Sequence, residues 1–462
     1  MNPDLSKIQN IYFVGAGGIG MAALERYFLA KGKNVAGYDR TPTTLTDELR
    51  AEGVGISFEE NPDSIPAPFR NPADTLVVYT PAVPADMPIL AWFRDNGFDI
   101  LKRAAVLGLI TRNSRSLCFA GTHGKTTTSS MAAHILNSGS VGCNAFLGGE
   151  LINYGTNFLL SPSSDFSVIE ADEFDRSFHH LTPYIAVITA TDPDHLDIYG
   201  TEEAYLESFA HFTELIRPDG ALIIHENLKL KPRPQEGVRV YTYSRDKGDF
   251  HAAYVRRAPG TITFDLVTPR GTIRNINLGV PVEVNVENAI AAAAAICLTS
   301  AWDPEIVRQA INSYRGTKRR FETHLKEHNG TGHVIIDDYA HHPEEIRKSI
   351  ESVKALYPGR RLTVAFQPHL YTRTRDFAPE FADALSAADS LILLDIYPAR
   401  EKPIEGVSSE IIFENVKCGD KILIGKEKLV ETLKNRNFDI LLTLGAGDIN
   451  TFIPEIIASL NS

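Results

Sequence analysis

Between the apolar stretch SLCFA and a helical pattern stands Gly121-Thr122-His123-Gly124-Lys125-Thr126-Thr127-Thr128. Glycines in such a strand-turn-helix context let backbone amides and the helix N-terminus cradle phosphate oxygens. Lys125 would reach the β and γ groups of a nucleoside triphosphate, and the Thr126 hydroxyl would ligate magnesium. The generic loop carries a glycine five positions before Gly124, where this chain has Phe119, so the loop is a shorter variant. The competing reading is a glycine turn with an incidental lysine, which the strand before it and the helix after it disfavour.

Magnesium prefers one or two carboxylates together with phosphate oxygens and water. Glu170 closes the apolar run DFSVIE, and Asp194-His195 follows IAVITAT. Both positions fall at the carboxyl edge of a parallel sheet, where open α/β folds bind ligands. A strand-end acid or histidine is also an ordinary cap or loop contact. A second glycine turn, Gly15, Gly17, Gly18 and Gly20, follows the strand IYFV, with Asp39 after the next strand at the spacing of a ribose-binding carboxylate. That pattern fits a dinucleotide, another nucleotide diphosphate, or a turn needed only for helix packing. Near the strand ends of the C-terminal third, Arg319-Arg320, DDYAHHPEEI (337–346) and FQPHLYTRTRDF (366–377) gather arginine and histidine. Such forks and imidazoles can hold phosphate and carboxylate, although each taken singly reads as a surface salt bridge. His341 and His342 lack a third ligand at zinc spacing.

The elements that must carry these residues alternate in an α/β order. IYFVGAG, GMAALERYFLAKG, NVAGYD and LVVYTPAV give a doubly wound first unit. SLCFA opens a second parallel unit. From 236 to 283, VRVYTYSR, TITFDLVT and TIRNINLG alternate apolar and polar residues, which predicts an antiparallel hairpin elaboration. ENAIAAAAAICLTS predicts a helix, and HVIIDDYA, LTVAFQPH, SLILLDIYP and DILLTLGAG predict the strands of a third unit. Linkers are expected near 114–116 and 317–322, hence domains at 1–115, 116–319 and 320–462.

A chain of 462 residues exceeds what one growing core supports, which agrees with three domains. A net charge of −12 repels nucleic acid and anionic lipid, so anionic ligands need local basic or amide sites. Cys118, Cys143, Cys297 and Cys418 show no CxxC spacing and read as buried thiols of a reducing compartment. With no secretion signal and no run of roughly 20 apolar residues, the expected location is the cytoplasm, without membrane insertion.

In their order, FVGAGGIGM, YTPAVP, IEADEFDRSF, DPDHLDIY, NVENA, GTKRRFE, DDYAHHPEEI and FQPHLYTRTRDF resemble the Mur ligases over nearly the whole chain. FVGxGGIGM, EADExDxSF, DDYxHHPxEI and QPHxxTRTRxF are most similar to the branch that adds L-alanine. The resemblance implies an N-terminal Rossmann-like domain for the UDP part of the substrate, a central P-loop ATPase and a C-terminal Rossmann-like domain that closes over the site about GTKRRFE. It implies ATP-dependent ligation of L-alanine to the lactyl carboxylate of UDP-N-acetylmuramate through an acyl phosphate, by a monomer or weak homodimer. By position, Gly121, Thr122, His123, Gly124, Lys125, Thr126 and Thr127 would bind ATP. Thr126, Glu170 and His195 would hold Mg2+, and Asn288 and Arg320 would contact the nucleotide. Gly15, Gly17, Gly18, Gly20 and Asp39 would serve UDP, His342 would face the reaction, and His369 and Arg373 would take the amino acid's carboxylate. Val284 stands before Asn285 where the family often has histidine, so adenine needs other contacts. AYLESFAHFTELI offers no lysine for carbamylation, as in the alanine-adding branch.

Four other readings remain open at this stage. A sister ligase attaches an L-alanyl-γ-D-glutamyl-diaminopimelate tripeptide to the same sugar nucleotide. Folate-polyglutamate ligases share the ATPase design but lack the early glycine turn. An NAD-dependent oxidoreductase would use the first glycine turn with Asp39 and leave GTHGKTTT unexplained. A non-catalytic regulator would bind ATP without turnover.

Overall fold

A computed structural model describes residues 3, 5–80, 83, 84, 86–161, 163–193, 196–325, 332–399 and 401–460. Asp194 and His195 lie outside the described residues. Contacts divide the chain into two compact units, one of 1–253, 265–274 and 287–311 and one of 254–264, 275–286 and 312–462.

The first unit holds two sheets. The N-terminal one has five parallel strands in the order Gly55–Ser57, Asn34–Tyr38, Asn10–Val14, Thr75–Tyr79 and Asp99–Lys102. Asn10–Val14 is buried at every residue, as a parallel strand covered on both faces must be. The chain reverses its direction of strand addition between the first strand and Thr75–Tyr79. That reversal opens a crevice at the carboxyl ends, where the glycine turn sits. The second sheet has seven strands, with Arg115–Ala120 fourth, between Ile185–Ile188 and Phe166–Glu170. Its strands pair in parallel except for the hairpin of Asn144–Leu151 with Thr156–Leu159. The two sheets share one core, in which Ile11, Phe13 and Leu24 join Phe146, Ile169 and Phe209. The helix Ile19–Ala30 makes the junction, with Tyr27 packing edge-on to Phe146 at 5.5 Å between ring centroids.

One expectation is corrected here. VRVYTYSR does not belong to the hairpin elaboration: Arg239–Tyr243 pairs in parallel with Ala221–His225 and forms the edge of the seven-stranded sheet. It is exposed at Arg239 and Val240 and buried only at Tyr243, and its run of strand-forming residues reads the same whichever partner it pairs with. His251–Ala258, Thr261–Thr268 and Gly271–Asn277 alone make the separate three-stranded sheet.

The second unit contains a six-stranded sheet in the order Glu322–Leu325, Val334–Asp338, Ile440–Leu444, Leu362–Phe366, Ser390–Leu394 and Lys421–Ile424. Only the first pairing is antiparallel. Ile335, Ala365, Ile392 and Leu441 form its core with Leu429, Leu433 and Ile453. The α/β class expected from the sequence holds throughout.

Candidate active site

The phosphate loop leaves the end of Arg115–Ala120 and enters the helix Lys125–Ser138. Gly121 and Gly124 have φ of 136° and 81°, a region that residues with a Cβ rarely adopt. A Cβ at Gly121 would also stand 2.2 Å from Thr189 Oγ1. The loop is braced from the neighbouring strand end: the Thr122 amide donates to Ala190 O at 3.0 Å and Thr122 Oγ1 to Asp192 O at 2.7 Å. His123 is exposed, 3.9 Å from Asp192. Thr127 is half-buried in the first helical turn.

Lys125 Nζ donates to Gly121 O at 2.7 Å and to Glu173 Oε1 at 2.8 Å. Glu173 went unnamed among the expected site residues. Burial pushes its carboxyl above the ordinary range, and the Lys125 ammonium pulls it part of the way back. Thr126 Oγ1 donates to Glu170 Oε1 at 2.9 Å, and the Gly148 amide donates to Glu170 Oε2 at 2.8 Å. A hydroxyl and a carboxylate this close are the hard oxygen donors that suit Mg2+. Asn288, on the helix Glu283–Cys297, accepts from Thr128 Oγ1 at 3.2 Å and so reaches the base of the loop. Asn285 donates to Val280 O at 3.1 Å, and Val284 is exposed.

At the N-terminal turn, the Gly15 and Ala16 amides donate to Tyr38 O, and the Gly17 amide donates to Asp39 Oδ2 at 2.6 Å. Asp39 Oδ1 accepts the Thr41 amide at 3.0 Å. Both carboxylate oxygens thus brace backbone, and each keeps a lone pair that can accept a further hydrogen bond. Gly18 donates to Gly15 O at 3.4 Å, closing the turn. Beside Gly20 stands Arg103, whose Nη1 lies 3.0 Å from where a Cβ would be. Nothing in the sequence around Arg103 marks it as a site residue.

In the second unit, Arg319 and Arg320 both lie over the Tyr339 ring, at 5.1 Å and 5.7 Å. Arg319, at a left-handed φ of 59°, donates to buried Asp337 at 3.2 Å, to Gly447 O at 2.9 Å and to Gly445 O. Asp338 accepts from Ser349 Oγ at 2.5 Å, and burial raises its carboxyl to about 6 against the counter-pull of Ser349 and Arg320. His342 begins the helix Pro343–Leu356 as its cap and packs on Phe377 at 4.8 Å. The ring of its neighbour His341 lies 6.3 Å from that of His369. His369 stacks on Tyr397 at 5.8 Å, with Arg373 Nη1 3.5 Å from its Nδ1. Burial, then the Arg373 charge, lowers the His369 pKa, and burial lowers that of His341. His341, Asp338 and Tyr397 therefore join the residues named from sequence. A histidine pair and an acid pair do not by themselves say which member points where.

The Mur ligase family catalytic domain model matches residues 10–115, the Mur ligase middle domain model 119–296, and the Mur ligase glutamate ligase domain model 319–447. Among relatives, the UDP-N-acetylmuramate–L-alanine ligase of Phocaeicola vulgatus is 56% identical over 99% of each chain. That of Porphyromonas gingivalis is 49% identical over 96% of this chain and 98% of its own. A solved UDP-N-acetylmuramate–alanine ligase from Thermotoga maritima superposes with a TM-score of 0.78 at 26% identity, covering 98% of this chain and 99% of its own. The fold of a murein peptide ligase from Psychrobacter arcticus is also similar, with a TM-score of 0.63 at 20% identity, covering 98% and 99% of the two chains. With three consecutive domain models and full-length relatives in agreement with the loop geometry, this chain belongs to the Mur ligase family.

Proposed function

We propose that the chain is an ATP-dependent ligase that joins L-alanine to the lactyl carboxylate of UDP-N-acetylmuramate in peptidoglycan precursor synthesis. The observation that carries this reading is full-length likeness to relatives named for that reaction, on a chain whose phosphate loop sets Lys125 against Gly121 O and Thr126 against Glu170. In this reading 1–115 binds the UDP part through the turn at Gly15–Gly20, 116–319 binds ATP, and 320–462 supplies His369 and Arg373 for the amino acid's carboxylate. Arg320 and Asn288 contact the nucleotide, and the reaction takes place in the cytoplasm.

ATP transfers its γ-phosphoryl group to a carboxylate oxygen of the sugar nucleotide. The bridging P–O bond breaks, ADP departs and an acyl phosphate remains. Lys125 and the loop amides stabilise the charge spread over the transferring group, so positioning and electrostatics carry most of the rate. Thr126 and Glu170, with His195, would hold a magnesium ion, which when bound draws further charge from the phosphate oxygens. The neutral amine of L-alanine then attacks the acyl carbon. The tetrahedral adduct loses phosphate, and the amine proton passes to solvent or base. Water excluded from the site spares the acyl phosphate from hydrolysis.

The test is phosphate release from ATP with UDP-N-acetylmuramate and magnesium, comparing no amino acid, L-alanine and the L-alanyl-γ-D-glutamyl-diaminopimelate tripeptide. Release dependent on L-alanine is expected. Release with the tripeptide alone moves the assignment to the sister ligase, and release with neither sinks it.

A further inference from the structure

The Lys125 ammonium carries three N–H groups. Two are taken, by Gly121 O at 2.7 Å and Glu173 Oε1 at 2.8 Å, which leaves one to point at a bound phosphate. The pair is not a surface contact of the weak, solvent-screened kind. The Lys125 side chain is 15% exposed and that of Glu173 1%. Among the described residues, Glu173 Oε2 has no hydrogen-bond partner, and Lys125 is the cation in contact with the carboxylate.

The backbone around Glu173 is held with similar care. Its carbonyl accepts the Tyr199 hydroxyl at 2.5 Å and the Arg176 amide at 2.9 Å. Tyr199 is buried, and the Arg176 guanidinium lies 4.6 Å over its ring. Asp175 and Arg176 adopt left-handed φ of 49° and 60°, a costly conformation for residues with a Cβ that persists only where surrounding contacts enforce it. The segment is built to place one carboxylate against one lysine.

We infer that Glu173 is a positioning residue: its buried carboxylate, acting with Gly121 O, orients Lys125 so that the third N–H meets the transferring phosphoryl group. This rests on the ligase reading above. Because that interaction strengthens as charge develops in the transition state, its loss appears in kcat rather than in the binding of the other substrates.

The experiment compares wild type, Glu173→Gln and Glu173→Ala in L-alanine-dependent ADP formation, with KM measured separately for all three substrates. Glu173→Gln fills the same space and keeps an oxygen acceptor, so it reports on the charge even if Glu173→Ala fails to fold. Expected is a fall in kcat of about 10-fold for Glu173→Gln and about 100-fold for Glu173→Ala, the scale of a misplaced catalytic group. KM for UDP-N-acetylmuramate and L-alanine should stay within about twofold, since neither contact is touched. A wild-type kcat in Glu173→Gln, tighter ATP binding with undiminished kcat, or equal KM losses for all three substrates overturns the inference. Wild type showing no alanine-dependent ADP formation would instead overturn the ligase reading, so the two failures are distinct.

Discussion

Thr126 Oγ1 and Glu170 Oε1 lie 2.9 Å apart, and the far oxygen of Glu170 is held by the Gly148 amide at 2.8 Å. The carboxylate is thereby fixed from two sides, by the loop and by the adjoining strand Asn144–Leu151.

This pinning makes Gly148→Ala informative. A Cβ there would stand 2.5 Å from Oε1 and 2.6 Å from Oε2 of Glu170. The end of a side chain can swing away at little cost, so folding stability should change by less than about 1 kcal/mol. The displaced carboxylate should lower kcat roughly 100-fold. Paired melting curves and coupled ADP assays check this, and an unchanged kcat would show that Glu170 need not stand where it does.

Asp39 braces the first glycine turn through the amides of Gly17 and Thr41. Asp39→Ala removes a charged acceptor contributing about 1.5–3 kcal/mol to the order of that turn. The KM for UDP-N-acetylmuramate should rise at least roughly tenfold, while the KM for ATP stays level. A rise in both would mean that the damage spreads beyond the turn.

Arg319 is the sole arginine fork on Asp337 among the described residues, and the Asp337 side chain is fully buried with Thr443 as its other partner. Arg319→Ala strands that carboxylate and two glycine carbonyls, at a cost of about 3–5 kcal/mol. Arg319→Lys cannot reproduce the fork and should recover only part of the loss. Denaturant unfolding measures both, and a loss under about 1 kcal/mol for the alanine variant would refute the account.

Burial lowers the pKa of His134, on the phosphate-loop helix, from 6.5 to about 4, and its Nδ1 stands 2.7 Å from the Tyr154 hydroxyl. Below pH 6.5 the unfolded chain takes up a proton that the folded chain refuses until about pH 4. The contribution of His134 is therefore full above pH 6.5 and declines through that window by about 1.4 kcal/mol per pH unit. Wild type should lose stability more steeply than His134→Gln between pH 6.5 and 4. Parallel slopes would mean that His134 titrates normally.

The phosphate loop was legible because its chemistry is local. Eight consecutive residues, an apolar strand before them and a helix after them carry the whole pattern. Arg239–Tyr243 misled because strand-forming residues do not say which partner a strand takes, and this one pairs in parallel at the edge of the seven-stranded sheet. Glu173 was missed although it stands three residues from Glu170, since its partner Lys125 is 48 positions away and no spacing rule connects them. His341 and His342 are adjacent in sequence, yet one turns toward His369 and the other caps a helix.

The sequence by itself determined the α/β class, the two glycine turns, the family and the residue types available to bind phosphate and carboxylate, because periodicity and turn chemistry act over a few residues. The tertiary structure decided which of those residues meet. Asp39 braces backbone, Arg319 hydrogen-bonds the buried Asp337, and Lys125 pairs with Glu173. Those outcomes depend on the order of strands in each sheet and on the requirement that every buried charge find its partner across long stretches of chain.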